Sequence, residues 1–401
     1  MGAGTAYDWI NGVADRRWAE AESRIHALSA AFPEGGTGRG PEPRSEAAKE
    51  NQIHFVAAIR LAAPKRLGRV NASKYIDERT RGEEVDHLLE EAQDFLDRLH
   101  EGARRIAASP VDFPSRWHGE WDYVTLVYVM QCAVLRSRAQ RAVNRAAEAA
   151  ETLLDSLQLA RFWAISGPEG SRGSALGGMA ETVDELRDLL SSAALPSEQL
   201  CRIENELEPL EAALEMQVRR LEPFVARWAE KLRTADLNEN GVLREAPLWW
   251  RVLFPERLIK ADVFAFVERQ LEDLRIAESK GYDEVLRVGK RAQDEADISR
   301  NPFLRRAGNL LEAVGWGEIE RKAQLRLLRT AAHYRATGDV LKLQDPFGTV
   351  LGHAATPTGM KFWSRWGDGK DDGGDPGGRK GWLGPQNAPI LDLVIEVERH
   401  K

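Results

Sequence analysis

Cysteine is scarce in this chain of 401 residues: Cys132 and Cys201 are the only two. A disulfide framework and any multi-cysteine zinc site are thereby excluded. Long hydrophobic runs are also missing. The most apolar stretch, Tyr123 to Leu135, is interrupted by Thr125 and Gln131. It falls short of the ~20 residues that span a bilayer and reads as a buried core helix. Met1 to Val13 lacks the basic-then-apolar layout of a secretory signal, so the chain as given is expected to be soluble. Positive charge is not in excess, because 56 Lys and Arg face 63 Asp and Glu for a net charge of −7. A mildly acidic chain speaks against a nucleic-acid partner, since phosphate contacts need a concentrated basic face. No His-Glu-x-x-His run, Gly-Lys-Ser/Thr phosphate loop, Gly-x-Gly-x-x-Gly turn after a strand or Gly-x-Ser-x-Gly elbow occurs, which leaves no motif-defined active site.

The chain is otherwise rich in what a folded protein needs: 43% of its residues are hydrophobic and 30% charged, a globular composition. At ~100–200 residues per domain, two or three domains are expected. From Trp9 to about Ala336 the sequence abounds in Ala, Leu, Glu and Arg, good helix formers. Leu88, Leu89, Ala92, Phe95, Leu96, Leu99, Ala103 and Ile106 recur at three- and four-residue spacing and define one apolar helix face. The same spacing runs from Leu200 through Ile203, Leu207, Leu210, Leu214, Val218, Leu221 and Val225 to Trp228, with Pro209 and Pro223 expected to kink or divide it. Further helices are predicted over Trp9–Ala31, Ser45–Ala62, Tyr123–Ala164, Ala180–Ala193, Lys260–Ala292 and Glu318–Ala336. Pro33 to Pro43, Ser166 to Gly178 and Asp236 to Pro247 read as loops or turns. Both thiols are expected to be buried and inert.

After Gly338, a suitable helix C-cap, the composition changes. Between Asp345 and Lys401 lie 11 of the 34 glycines and 5 of the 18 prolines, too many for a continued helix. Thr349–His353, Met360–Trp366 and Ile390–Glu398 are candidate strands. In the last, Leu391, Leu393, Ile395 and Val397 alternate with Asp392, Glu396 and Glu398, the pattern of a half-buried strand. The fold class expected is mainly α: a multi-helix array over residues 5–317, then a helix and a small antiparallel β-sheet with an Asp/Gly-rich loop over residues 318–401.

The loop from Trp366 to Gly378 carries Asp368, Asp371, Asp372 and Asp375 with only Lys370 among them. Clustered like charge is costly unless a cation or solvent compensates. Asp and Gly are turn formers, so a solvated turn is one reading. A site for a hard cation such as Ca²⁺, which takes six to eight oxygens from carboxylates and carbonyls, is the other.

Three groups of residues carry a resemblance: Asp345-Pro346-Phe347-Gly348; Phe362-Trp363-Ser364; and Gly367 to Gly374 followed by Leu391-Asp392-Leu393. Together this tail resembles the C-terminal region of type II secretion pseudopilins, which have an Asp-Pro-aromatic-Gly turn, an aromatic-Ser strand, a calcium-binding Gly/Asp loop and a closing strand. Along most of its length the chain resembles uncharacterised, predicted membrane-anchored bacterial proteins with a long helical region before such a tail. The resemblance implies Ca²⁺ as cofactor, with Asp368 and Asp392 as ligands, Asp371, Asp372 or Asp375 supplying others, and a main-chain carbonyl near Ser364 to Trp366. It also implies a membrane anchor that is not among these residues. The stretch Asp375 to Pro389 is longer than a compact pseudopilin loop.

Other constellations are less specific. Asp236, Asn238, Asn240 and Gly241 match the start of an EF-hand loop, but Pro247 stands where its bidentate Glu belongs, which favours an Asn/Gly turn joining two helices. Trp117 to Asp122 gathers two Trp, a His, a Glu and an Asp, either a pocket lining or a helix-entry segment. His87 with Glu91, and Glu90 with Asp94, share a helix face in the manner of solvated charge. Trp249-Trp250 and Trp163 suit core or inter-helix contacts. The function expected is an extracytoplasmic, non-enzymatic structural or interaction protein with a Ca²⁺-stabilised tail and a protein partner, related to secretion or pili. A hydrolase or other enzyme with a pocket near Trp117–Asp122, or a cytoplasmic helical scaffold, are the alternatives.

Overall fold

The computed structural model describes residues 3–31, 54–55, 57–78, 82–106, 123–166, 171–214, 225–226, 229–230, 232–235, 255–278, 282–299, 302–347, 350–365, 370–376 and 392–398. They form a mainly helical array with a three-stranded antiparallel sheet at the C-terminal end, as the patterning predicts. Helices are α1 (Ala3–Ala31), α2 (Arg69–Asp77), α3 (Glu83–Ile106), α4 (Tyr123–Ala142), α5 (Ala146–Ser166), α6 (Ser171–Ser192), α7 (Ser197–Leu214), α8 (Glu256–Glu278), α9 (Tyr282–Ile298) and α10 (Pro302–Thr337). Strands are β1 (Gly352–Ala355), β2 (Gly359–Arg365) and β3 (Asp392–Glu398). Among the described residues no helix is long and apolar enough to cross a membrane.

Contacts divide the chain into two units, Met1–Gly38 with Met216–Trp316, and Arg39–Glu215 with Gly317–Lys401. The residues from Gly317 onward thus belong with the helices of residues 39–215. In the first unit α1 and α8 run parallel, because Asp15 pairs with Arg257, Arg17 with Asp262 and Arg24 with Glu268 in ascending order. Ala21, Ile25 and Phe264 fill the space between them. Helices α8 and α9 form an antiparallel pair over Phe266, Leu271, Leu274, Val288 and Ala292. The pattern predicts one helix over Lys260–Ala292, but α8 ends at Glu278 and a second helix starts at Tyr282. The apolar period continues across the break because both helices bury their stripe in one core.

The second unit is built around α4. Residues 125–135 are all buried, and the helix touches α2, α3, α5 and α6. A helix apolar on every side must be wrapped on every side. The predicted single helix from Tyr123 to Ala164 is two: Asn144 takes a left-handed φ of 61°, and the amide of Arg145 returns to the Gln140 carbonyl. Asn tolerates that conformation, so α5 folds back on α4. Ser166 to Gly178, expected as a loop, is helical from Ser171. Gly178 serves packing: a Cβ there would lie 2.8 Å from the Met130 sulfur of α4. Helix α7 continues through Pro209. Cys132 is buried, with its thiol pushed up to about 12 by burial, while Cys201 is exposed, contrary to expectation.

Several buried charged groups of this unit are met by partners. Glu185 of α6 takes Arg138 and Arg141 of α4 at 2.7 and 2.6 Å. Glu211 of α7 takes Arg326 and Arg329 of α10 at 2.6 and 2.9 Å. Arg335 donates to the Leu190 and Ala193 carbonyls, which satisfies the open C-terminal end of α6. Between α3 and α5, His100 Nδ1 lies 2.6 Å from the buried Asp155 carboxylate. That hydrogen bond holds the imidazole pKa up against the opposing effect of burial. Burial pushes the Asp155 carboxyl up, and the same bond pulls it back. A histidine raised in the folded state contributes stability that is complete below its unfolded pKa and is lost as pH rises through the folded value. Its ring is 41% exposed, so screening limits the gain to about 1 kcal/mol. Urea unfolding is therefore expected to give lower stability at about pH 8.5 than at about pH 6, with this part of the slope abolished in His100→Gln.

Candidate functional site

The candidate site is the C-terminal sheet and the Asp/Gly loop. Helix α10 stops at Gly338, whose φ of 85° and amide bond to the Tyr334 carbonyl make it the expected cap. The chain then turns at Asp345-Pro346-Phe347 into the sheet. Strand order is β1-β2-β3, with Met360 opposite Val397, Phe362 opposite Ile395 and Ser364 opposite Leu393. Directly paired residues share a sheet face. These six therefore form one face, and Phe362 meets Tyr334 of α10 edge-on at 5.7 Å between ring centroids. Helix α6 packs against β3. Lys361, Trp363 and Arg365, opposite Glu396, Val394 and Asp392, form the other face. The predicted strand at Thr349–His353 starts later, at Gly352, and Thr349 lies outside the described residues.

Asp345 serves the first face. It is 1% exposed. One carboxylate oxygen accepts the Phe347 amide at 3.0 Å and the Ser364 hydroxyl at 2.7 Å, and the other accepts the Arg365 amide at 2.8 Å. Burial pushes its pKa up, against these three donors. The carboxylate thus ties the chain entering the sheet to the end of β2. Two of the three groups that carry the resemblance, those containing Asp345 and Ser364, meet in this one contact.

The loop lies against the other face. Trp363 Nε1 donates to Asp371 at 2.8 Å, and Asp371 also accepts the Gly373 amide at 3.1 Å and faces the Arg365 guanidinium at 3.4 Å. The Trp363 bond, foremost, pulls the Asp371 pKa down. Asp392 does the opposite. One of its oxygens accepts the Asp372 and Gly374 amides at 3.1 and 2.8 Å, and its own amide donates to the Asp375 carbonyl at 2.9 Å. Burial pushes its carboxyl up to about 6, with the charges of Asp372 and Asp371 adding to the shift and the two amides opposing it. Its other oxygen, Oδ1, is buried with no hydrogen-bond partner. Strand alternation alone would put Asp392 on the solvent side; it is 3% exposed because the loop folds over it.

Of the five aspartates expected as ligands, four are among the described residues, and of these Asp392 is the buried one. Asp371, Asp372 and Asp375 keep exposed side chains, with Asp372 and Asp375 meeting Asp392 through their main chains. Asp368 lies outside the described residues, as do the carbonyl of Trp366, the whole of Trp117–Asp122, Asp236–Pro247, Pro33–Pro43, Pro223 and Trp249-Trp250. Among the described residues no three His, Cys, Asp or Glu side chains converge as a metal-holding group. The Asp392 Oδ1 is the unpartnered carboxylate oxygen of this loop region, and a carboxylate oxygen is a donor that a hard cation such as Ca²⁺ takes. The Gly373 and Gly374 carbonyls face the Lys361 ammonium at 3.1 and 3.4 Å, and the Gly373 carbonyl points away from Asp392 because the Gly374 amide of the same trans peptide donates to that carboxylate. The residues that sequence reasoning missed are Asp345, quoted there as a turn motif and not as a clamp, and Lys361, whose single positive charge has no local signature.

No family model matches the chain, and no curated protein and no solved structure shows significant similarity to it.

Two substitutions test this geometry. Gly352 faces Trp363 across the β1–β2 pair, and a Cβ there would lie 2.1 Å from the indole. Gly352→Ala must displace Trp363 and its bond to Asp371, at a cost of about 2 kcal/mol in urea unfolding. Asp345→Asn turns an NH₂ towards donors on one side or the other, and a loss of about 2 kcal/mol is expected. Faster hydrogen exchange at the Arg365 amide reports the same break locally.

Proposed function

We propose that this chain is a non-enzymatic structural or interaction protein of an extracytoplasmic compartment, acting on a protein partner, whose C-terminal sheet is clamped by a bound Ca²⁺ ion. The observation that carries the reading is the buried, unpartnered Oδ1 of Asp392. A buried carboxylate oxygen without a donor costs free energy, and a cation removes that cost. Asp371 and Asp372 add negative potential at the same place. The resemblance of the Asp-Pro-Phe-Gly, Trp-Ser and Gly/Asp segments to the pseudopilin tail supports the same ion. Asp392 would be its buried ligand, with Asp368 as the ligand the resemblance adds. The ion would supply charge neutralisation and a fixed loop. An ion that binds only the folded loop stabilises it by RT ln(1 + [L]/Kd), which favours compartments where calcium is plentiful.

Thermal unfolding of calcium-stripped protein, with EGTA, Ca²⁺ or Mg²⁺ added, tests this. With Ca²⁺ at a hundredfold excess over Kd the expected stabilisation is about 2.7 kcal/mol, seen as a rise in Tm that Mg²⁺ does not reproduce. Asp392→Asn, which removes the charge and keeps the shape, is expected to unfold in EGTA at or above the wild-type midpoint and to show no calcium shift. A wild-type midpoint indifferent to Ca²⁺ would falsify the clamp.

A further inference from the structure

The two outer strands of the sheet are finished differently. Thr356 donates to the Gly359 carbonyl at 3.0 Å and closes the β1–β2 hairpin. Bonded pairs alternate along an antiparallel ladder, so this bond sets the parity of the rest. Gly352 and Ala354, opposite Trp363 and Lys361, turn their amides and carbonyls inward to β2, while Leu351, His353 and Ala355 turn theirs outward. On the far side of the sheet β3 is closed at its start, where the Asp392 amide donates to the Asp375 carbonyl at 2.9 Å. Its residues Asp392, Glu396 and Glu398 add charge, and α6 packs against it. The outer side of β1 is paired for one step only, where the Leu351 amide donates to the Leu343 carbonyl at 3.1 Å. Among the described residues no backbone bond is made on that side by His353 or Ala355, and both are exposed. Folded proteins blunt such edges with Lys, Glu, Pro or a bulge. Gly352-His353-Ala354-Ala355 has none of these residues, and its register with β2 runs without a break.

We propose that the open edge of β1 is the docking site for an extended segment of a partner protein, which adds a strand to the sheet beside His353 and Ala355. This rests on the reading of the chain as an interaction protein and names the surface and the kind of partner; it does not require the ion. Only another extended backbone presents amides and carbonyls at the spacing of these two residues. The side chains around the edge select the occupant. Those of β1 are small, so the incoming strand must bring the bulk. A Cβ at Gly352 would lie 2.1 Å from the Trp363 indole, so the ring stands over that glycine, and a residue seated beside Gly352 meets the ring. Val350, 50% exposed, adds apolar surface just before the strand. An alternating segment with its large apolar residues on the Trp363 side fits this edge. A second copy of β1 fits it poorly. Four residues with one Gly and two Ala, set against their like, bury far less than the ~1,000 Å² of a stable interface and have weak strand propensity.

The test selects short linear peptides displayed on phage against the full chain, in Ca²⁺ and in EGTA. The recovered peptides are then measured on wild type, Ala355→Pro and Ala355→Lys. Proline removes one outward amide and no bond to β2, a placement that edge strands tolerate. Lysine keeps the amide and puts a charge on the edge, which guards against a proline variant that fails to fold. In the free wild type, hydrogen exchange is expected to be fast at the His353 and Ala355 amides and slow at Ala354. Bound peptide is expected to slow the two fast amides. Ala355→Pro is expected to bind the same peptides about tenfold more weakly, the scale of one hydrogen bond, and Ala355→Lys to weaken them as well, both at wild-type Tm. No enriched peptide, or peptides that bind all three proteins alike, overturns the edge site. A dimer in sedimentation that Ala355→Pro dissociates overturns the partner strand in favour of a second copy. The calcium clamp is read separately from the Tm shift. Peptide binding without that shift removes the clamp and keeps the edge, and the shift without peptide binding does the reverse.

Discussion

Burying a carboxylate is costly unless donors meet it, and that constraint organises this chain. In the helical part it joins elements pairwise: Glu185 recruits two arginines of α4, Glu211 recruits two of α10, and Asp155 recruits His100. In the tail, two buried aspartates meet main-chain amides. Asp345 gathers the amides of Phe347 and Arg365 and the hydroxyl of Ser364. Asp392 gathers the amides of Asp372 and Gly374. Glycine-rich segments bury little apolar surface of their own, and such charged anchors give them a defined path where hydrophobic packing cannot.

The two sheet faces are finished by different chemistry. The face of Phe362, Ile395 and Val397 is closed by apolar contact, with Tyr334 of α10 on Phe362. The face of Lys361, Trp363 and Arg365 is closed by a loop of aspartates and glycines. Trp363 is the link, because its indole N–H holds Asp371 while its ring supports the Lys361 stem. Gly352 permits this by leaving room for the indole over β1. The acidic groups on this face are pushed in opposite directions: donors pull Asp371 down and burial pushes Asp392 up.

Much of the architecture is legible along the chain. The apolar period over Leu88 to Ala103 describes the buried side of α3, and the alternation of Leu393, Ile395 and Val397 describes β3. Gly338 is the cap it promises to be. The misreadings share a cause. Asn144 divides one apolar run into α4 and α5, and a short break divides another into α8 and α9. A hairpin that buries both its helices in one core keeps the period going across the turn. Glycines at positions 173, 177 and 178 read as a loop, yet they stand in α6, and Gly178 is there for its missing side chain next to Met130. Local composition cannot separate a glycine that bends the chain from one that lets two helices approach.

The candidate site divides the same way. Residue order alone determined that the tail is a small sheet with a concentrated set of aspartates, because strand alternation and turn chemistry are properties of neighbours in sequence. Which of those aspartates is buried, and what meets it, was decided only in three dimensions. Asp345 and Ser364 stand 19 residues apart, and Gly374 and Asp392 stand 18 apart. Lys361 reaches the Gly373 carbonyl across 12. A carboxylate's ionisation and its open oxygen depend on burial and on donors brought from a distance, and neither is set by the residues on either side of it.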